Sequence, residues 1–418
     1  MIPVSKKSFH KRKITTFITK NKKTILRVLL FILSFAITLI SCNAQSTLPS
    51  TNITPGAYQL EKYISLLKGK RVGLVVNQTS VINNTHLVDT LLSLQIDIKK
   101  VFAPEHGFRG KADAGEKVKD GVDTKTNLPI ISLYGKNRKP TIEQFSDLDI
   151  IIFDIQDVGT RFYTFISTMH YVMETASETD KKVFIFDRPN PNGMYVEGPV
   201  LDMDYKSFVG MHPIPILHGL TVGELAEMIN GEKWLDGKRK CDLTIIPMEN
   251  WDHSKSYSLP IKSSPNLPND LSIQLYPSLC MFEGTNISLG RGTLLPFQQI
   301  GHPSFTNFTY SFTPESIDGM AKYPKYEDEV CYGIKFDIDN GVHGFDISYL
   351  IQFYNDFKKL NKDDDFFIKY FNTLAGNSTL KSQIIAGKTE TEIKATWEKD
   401  LNKYKVLRKK YLRYPDFE

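Results

Sequence analysis

Cysteine is scarce in this chain, with four in 418 residues. Cys241, Cys280 and Cys331 are too few and too scattered for a disulfide framework or a paired-cysteine metal site, and they read as buried thiols with room for one disulfide. Several signatures are missing too. Gly290-Arg291-Gly292 is not a dinucleotide fingerprint, and no phosphate loop, nucleophile elbow or HExxH pair occurs. His212, His218, His302 and His343 show no ligand spacing, so the sequence predicts neither a metal nor a cofactor. Acidic residues are absent from residues 1–42, where nine of the Lys and Arg lie. Setting those nine aside turns the formal net charge from +5 to about −4, which gives no basis for a nucleic-acid partner.

That basic start precedes a short apolar stretch, Val28 to Ile40, which reads as an export signal rather than a spanning helix, since a span needs ~20 apolar residues. It ends in Leu39-Ile40-Ser41-Cys42, a lipobox-like sequence that predicts lipidation at Cys42 and a membrane-anchored protein of the cell envelope; cleavage after Ala44 is the alternative. Residues 43–57, rich in Ser, Thr, Asn and Pro, are expected to be a tether.

From Arg71 the chain alternates short β-branched runs with helix-sized segments. Strands are predicted at Val72–Val76, Lys99–Phe102, Ile130–Leu133, Asp149–Phe153, Val183–Phe186 and Leu243–Pro247. Helices are predicted near His86–Leu94, Tyr163–Thr179 and Val222–Trp234. The pattern predicts an α/β fold, a Rossmann-like mostly parallel sheet over residues 58–262. A Pro- and Ser-rich segment at 262–269 marks the expected boundary to a smaller α+β domain over 263–418, with a strand at Tyr332–Phe336 and helices at Asp346–Lys358 and Glu390–Tyr411.

Where the apolar runs end, polar residues gather. In an open parallel sheet the strand ends share one edge, where ligands bind. Glu105, in Ala103-Pro104-Glu105-His106-Gly107, sits in a turn against Phe102 and Phe108 and is the candidate general acid, with His106 as orienting partner or participant. Asp154 and Asp157 stand where a strand feeds a helix, and either one activates water or caps that helix. Arg161 and Tyr163 follow on the same loop, suited to an anion and to a sugar face. Asp187, Arg188 and Asn190 lie in a loop stiffened by two prolines, either a site or a self-satisfied turn. Further on, Glu283, Asn286 and Arg291 share a Gly-rich segment able to close a crevice from the other side.

These segments, together with Gly73-Leu74-Val75-Val76-Asn77-Gln78-Thr79 and Glu283-Gly284-Thr285-Asn286, resemble the exo-β-N-acetylmuramidases of the NamZ type from about residue 58 to the C-terminus. The resemblance implies a cleft between a Rossmann-like and a smaller domain, removal of terminal N-acetylmuramic acid from the non-reducing end of peptidoglycan fragments, and an acid/base carboxylate at Glu105. Asn77 joins the expected substrate-binding set. Inversion, retention and nucleophilic help from the substrate's own acetamide all remain open. The rival readings are another envelope hydrolase, an esterase or deacetylase, and a non-catalytic wall-binding lipoprotein. The first would require an activated serine or a metal triad.

Overall fold

Continuous apolar runs are buried on both faces when helices cover both sides of a parallel sheet, and this chain follows that rule. The computed structural model describes residues 52–105, 107–109, 120–338 and 343–418. Cys42, His106 and the expected signal, with most of the tether, lie outside the described residues.

Nine strands come from the first half: β1 Arg71–Val76, β2 Val81–Ile82, β3 Thr85–His86, β4 Asp97–Ala103, β5 Gly121–Val122, β6 Pro129–Ser132, β7 Ile150–Asp154, β8 Lys182–Phe186 and β9 Asp242–Ile246. Seven of them form one sheet in the order β5-β6-β4-β1-β7-β8-β9, while β2 and β3 pair with each other as a small antiparallel ribbon. All neighbours in the large sheet are parallel except β5 with β6. Counting only the parallel strands, the order is the doubly wound one, with its reversal between β4 and β7 on either side of β1.

The helices α1 Leu60–Leu67 and α2 Leu87–Ser93 cover one face, where Tyr63, Leu67, Leu87 and Leu91 pack on Leu74, Val76 and Phe184. On the other face lie α3 Ile142–Phe145, α4 Phe165–Glu178 and α5 Val222–Gly231, burying Phe102, Ile151 and Phe153. That second core runs without interruption into the C-terminal half through Phe282, Phe353 and Trp397.

The C-terminal half begins with α6 Asp270–Leu279 and carries a three-stranded antiparallel sheet, β10 Gln299–His302, β12 Cys331–Lys335 and β11 Tyr310–Phe312, with β12 central. Helices α7 Ser348–Lys359, α8 Phe371–Ala375, α9 Thr379–Ile385, α10 Glu390–Ala395 and α11 Glu398–Arg408 complete it. The single terminal helix expected over Glu390–Tyr411 is therefore two. Thr396 N and Trp397 N donate to carbonyls three residues back, Ile393 O and Lys394 O, and this tightening divides the run. Beyond the segment expected to be the domain boundary, the last residues return to the first half. Tyr404 Oη donates to His218 O at 2.7 Å, Arg408 Nε to Gly219 O at 2.9 Å, and Tyr414 Oη to Asp187 Oδ2 at 2.7 Å.

Arg161 ties the halves together from inside. Its side chain is 1% exposed. Nη1 donates to Pro199 O and Ile214 O at 2.8 and 3.1 Å; Nη2 donates to Leu374 O and Ala375 O at 3.1 and 2.8 Å. The chain leaves α8 through Gly376 at φ +72, where a Cβ would stand 2.7 Å from Nη2, so the approach requires glycine twice over. Replacing Arg161 by Met would remove all four of these bonds, while Ile214 O would keep Leu201 N and Ala375 O would keep Asn377 Nδ2 as donors. Arg161→Met is expected to lower the unfolding free energy by about 3–5 kcal/mol, read by denaturant titration; a change under about 1 kcal/mol would show that these bonds do not hold the halves.

Candidate active site

The strand-end rule places polar residues along one edge, but only part of that edge is open. A cavity of about 690 Å³ lies over the ends of β4, β6 and β7 and is closed from the far side by the C-terminal half. Glu105 enters it from the turn after β4, which Gly107 N closes on Pro104 O at 3.0 Å with φ +74 at the glycine. Tyr134, two residues past β6, hydrogen-bonds Glu105; burial and then the Glu105 charge raise the tyrosine's pKa, so it stays a donor. Phe162 and Tyr163 come from the loop between β7 and α4, and pack edge-to-face with Tyr276 of α6 at centroid distances of 5.4 and 5.8 Å. Together they form an aromatic floor.

From the opposite wall come Glu283, in the turn that ends α6, and Arg291. Arg291 Nη2 donates to Glu283 Oε1 at 2.5 Å, and its guanidinium lies 4.9 Å from the centroid of Phe297. Burial works against the charge on Arg291, yet Glu283 outweighs it and the pKa is raised. Lys325, also on the wall, donates to Thr285 O, and its pKa is lowered by burial. Arg138 stands at the rim over the Phe208 ring at 4.3 Å.

Of the residues expected at the site, Glu105, Tyr163, Glu283 and Arg291 meet in this cavity. His106 lies outside the described residues, and the remaining expected residues do not line the cavity. Asp154 and Arg188 form a closed bidentate pair at 2.5 and 2.8 Å, with side chains 0% and 3% exposed. Asp157 is a buried loop cap, its Oδ2 accepting from Gly159 N at 2.7 Å, and burial pushes its pKa up to about 7. Asn77 folds back on Thr79 N at 2.9 Å. Asp187 accepts from Thr221 Oγ1, Gly223 N and Tyr414 Oη, and burial lifts its pKa to about 6. Asn190 donates to Leu220 O at 2.9 Å, and Asn286 Nδ2 donates to Asp365 O at 2.6 Å. Arg161 is the interior tie already described.

Tyr134, Arg138 and Lys325 line the cavity without having been singled out. Tyr134 is the first polar side chain after an apolar strand, the same signal that marked Glu105. Arg138 and Lys325 stand in loops with no periodicity, where nothing local distinguishes a cavity cation from a solvated one. Among the described residues no three His, Cys, Asp or Glu side chains gather as a metal would require. The cavity therefore offers a proton donor or acceptor, a second carboxylate locked to an arginine, and aromatic faces, a set suited to an anionic sugar.

Comparison with known proteins agrees. Residues 72–271 match the family model described as exo-beta-N-acetylmuramidase NamZ, N-terminal, and residues 274–414 match its C-terminal counterpart. The chain is 39% identical over 376 residues to the peptidoglycan beta-N-acetylmuramidase NamZ of Bacillus subtilis (strain 168), covering 85% of this chain and 89% of that one. Crystal structures of two DUF1343 family proteins from Bacteroides fragilis NCTC 9343 superpose with TM-scores of 0.80 and 0.76 at 46% and 30% identity, each covering 88% of this chain and 100% of its own. The chain belongs to the NamZ exo-β-N-acetylmuramidase family.

Proposed function

We propose that the protein is an exo-acting glycoside hydrolase that releases terminal N-acetylmuramic acid from the non-reducing end of peptidoglycan fragments. The observation that carries this reading is the meeting, in one cavity, of Glu105 from the sheet with the Glu283–Arg291 pair from the C-terminal half, in a chain matched by both NamZ models. Nothing in the site favours the esterase, deacetylase or simple binding readings.

Cleavage of a glycosidic bond needs a proton on the departing oxygen as the anomeric carbon gains positive charge. Glu105 supplies that proton, and Tyr134 fixes the direction in which the carboxyl points. N-acetylmuramic acid differs from N-acetylglucosamine by a lactyl ether ending in a carboxylate, so selection for it requires a cation within reach. Arg291 serves this role better than Arg161 or Arg188, whose guanidinium groups are spent on interior carbonyls and on Asp154. Its side chain is 31% exposed and one nitrogen is held by Glu283, which fixes the planar group while its remaining donors face substrate. Lys325, less strongly protonated than a free lysine, adds positive potential nearby.

Placement outside the cytoplasm, on a membrane through lipid at Cys42, follows from the basic leader and the lipobox-like Leu39-Ile40-Ser41-Cys42 and suits an enzyme whose substrate is the wall. On this reading Cys42→Ala moves the protein from the membrane fraction to the soluble envelope fraction, and unchanged fractionation would dismiss the anchor. For the chemistry, Glu105→Gln is expected to lose at least ~100-fold in kcat on the disaccharide N-acetylmuramyl-N-acetylglucosamine. The loss should be smaller on para-nitrophenyl N-acetylmuramide, whose leaving group needs no proton. Near-normal turnover of the disaccharide would remove Glu105 from the mechanism.

A further inference from the structure

The cavity's aromatic side chains grade from floor to mouth. Tyr163 and Tyr276 are each 8% exposed, Tyr370 is 37% exposed and Tyr323 is 84% exposed, yet all four line the same cavity. Tyr370 still feels the charge of Glu105, so it stands near the acid, whereas Tyr323 faces open solvent at the entrance. Single exposed apolar side chains are ordinary on protein surfaces. Leu294 and Ile338 are as bare as Tyr323 but do not line the cavity.

What sets Tyr323 apart is that its loop is fastened on both sides while its ring is left uncovered. Before it, Asn266 Nδ2 donates to Met320 O at 2.8 Å, Ala321 N donates to Ile317 O at 2.9 Å, and Ser316 Oγ donates to Lys322 O at 2.8 Å. After it, Pro324 packs so closely on Gly292 that a Cβ there would lie 2.7 Å from the proline Cγ, Lys325 donates to Thr285 O, and Tyr326 Oη donates to Asn286 O at 2.7 Å. Among the described residues no other aromatic ring packs on Tyr323. With its backbone fastened and its ring bare, Tyr323 can receive a flat apolar surface without ordering of the loop, and only the two side-chain torsions of the tyrosine remain to be fixed on contact.

On the glycosidase reading above, the terminal sugar occupies the inner end of the cavity and the next sugar lies at the mouth. That next sugar is a β-linked N-acetylglucosamine, whose equatorial substituents leave C–H faces on both sides of the ring. We infer that Tyr323 is the stacking platform for this leaving-group sugar, a subsite separate from the one that holds muramic acid. It binds the ring face of the sugar; no hydrogen bond from the phenol is involved. Longer fragments are thereby held by the part of the chain that is released, and free N-acetylmuramic acid does not use the platform.

The test separates the two subsites within one protein. Tyr323→Ala is expected to raise KM for N-acetylmuramyl-N-acetylglucosamine about three- to tenfold with kcat little changed, the scale of one aromatic contact. The inhibition constant of free N-acetylmuramic acid should not move. Tyr323→Phe, which keeps the ring, should restore the low KM. Because the side chain is exposed, thermal melts of both variants should match the parent. A Tyr323→Ala enzyme with parental KM for the disaccharide would overturn the inference, as would equal weakening of disaccharide and free N-acetylmuramic acid, which would place the ring beside the terminal sugar. Failure of the parent enzyme to cleave the disaccharide at all would instead overturn the glycosidase reading.

Discussion

The arrangement depends on one buried cation. Arg161 leaves the loop after β7, crosses the interior and satisfies two carbonyls of the first half and two of the second, with no carboxylate among these partners. A guanidinium presents five donors in a rigid fork, so it can hold three separate backbone segments at fixed angles where a lysine could not. Those segments matter because Leu374 and Ala375 belong to α8, the helix whose first turn carries Thr373 and is preceded by Tyr370 on the cavity wall. α8 in turn packs on the turn that carries Glu283, where a Cβ at Gly284 would lie 2.6 Å from Phe371 Cα, so the Arg161 tie connects the loop after β7 to the opposite wall of the cavity.

A second constraint moves the site sideways. The reversal of strand order at β1 would ordinarily open a crevice between β1 and its neighbour. Here that space is filled by the Asp154–Arg188 pair, with Ser80 Oγ donating to Asp154 O and Thr79 Oγ1 accepting from Gln156 N. A closed pair of this kind costs desolvation of both charges and is retained only with good geometry, which two nearly parallel hydrogen bonds provide. With the crevice plugged, the open volume lies over β4 and β6, and the C-terminal half supplies the wall that the sheet lacks. Both halves are therefore needed for one site.

The parallel sheet was readable because its strands centre on short, mostly apolar runs whose meaning is local: Asp149–Phe153 in the sequence became Ile150–Asp154 in the sheet, a shift of one residue. The short strands β10 and β11 were not readable, since Gln299–His302 and Tyr310–Phe312 hold too few apolar residues to show alternation. The site was readable in its acid. Glu105 stands two residues past the end of β4, in the turn that opens on the cavity. Arg161 and Arg188 look identical to ligand-binding arginines in sequence, because what separates them is the identity of distant partners; Leu374 lies 213 residues from Arg161. A polar cluster at a strand end signals either a site or the internal scaffold beneath it, and only the tertiary contacts decide which.

The central claim is that terminal muramic acid enters the cavity between the halves rather than the strand-order crevice. The direct measurement is a crystal structure of the Glu105→Gln protein with N-acetylmuramyl-N-acetylglucosamine bound. The account predicts the muramic acid ring on the floor formed by Phe162, Tyr163 and Tyr276, its lactyl carboxylate against Arg291, and the glycosidic oxygen beside residue 105. Sugar bound anywhere else, or a lactyl group turned away from Arg291 toward solvent, would contradict it.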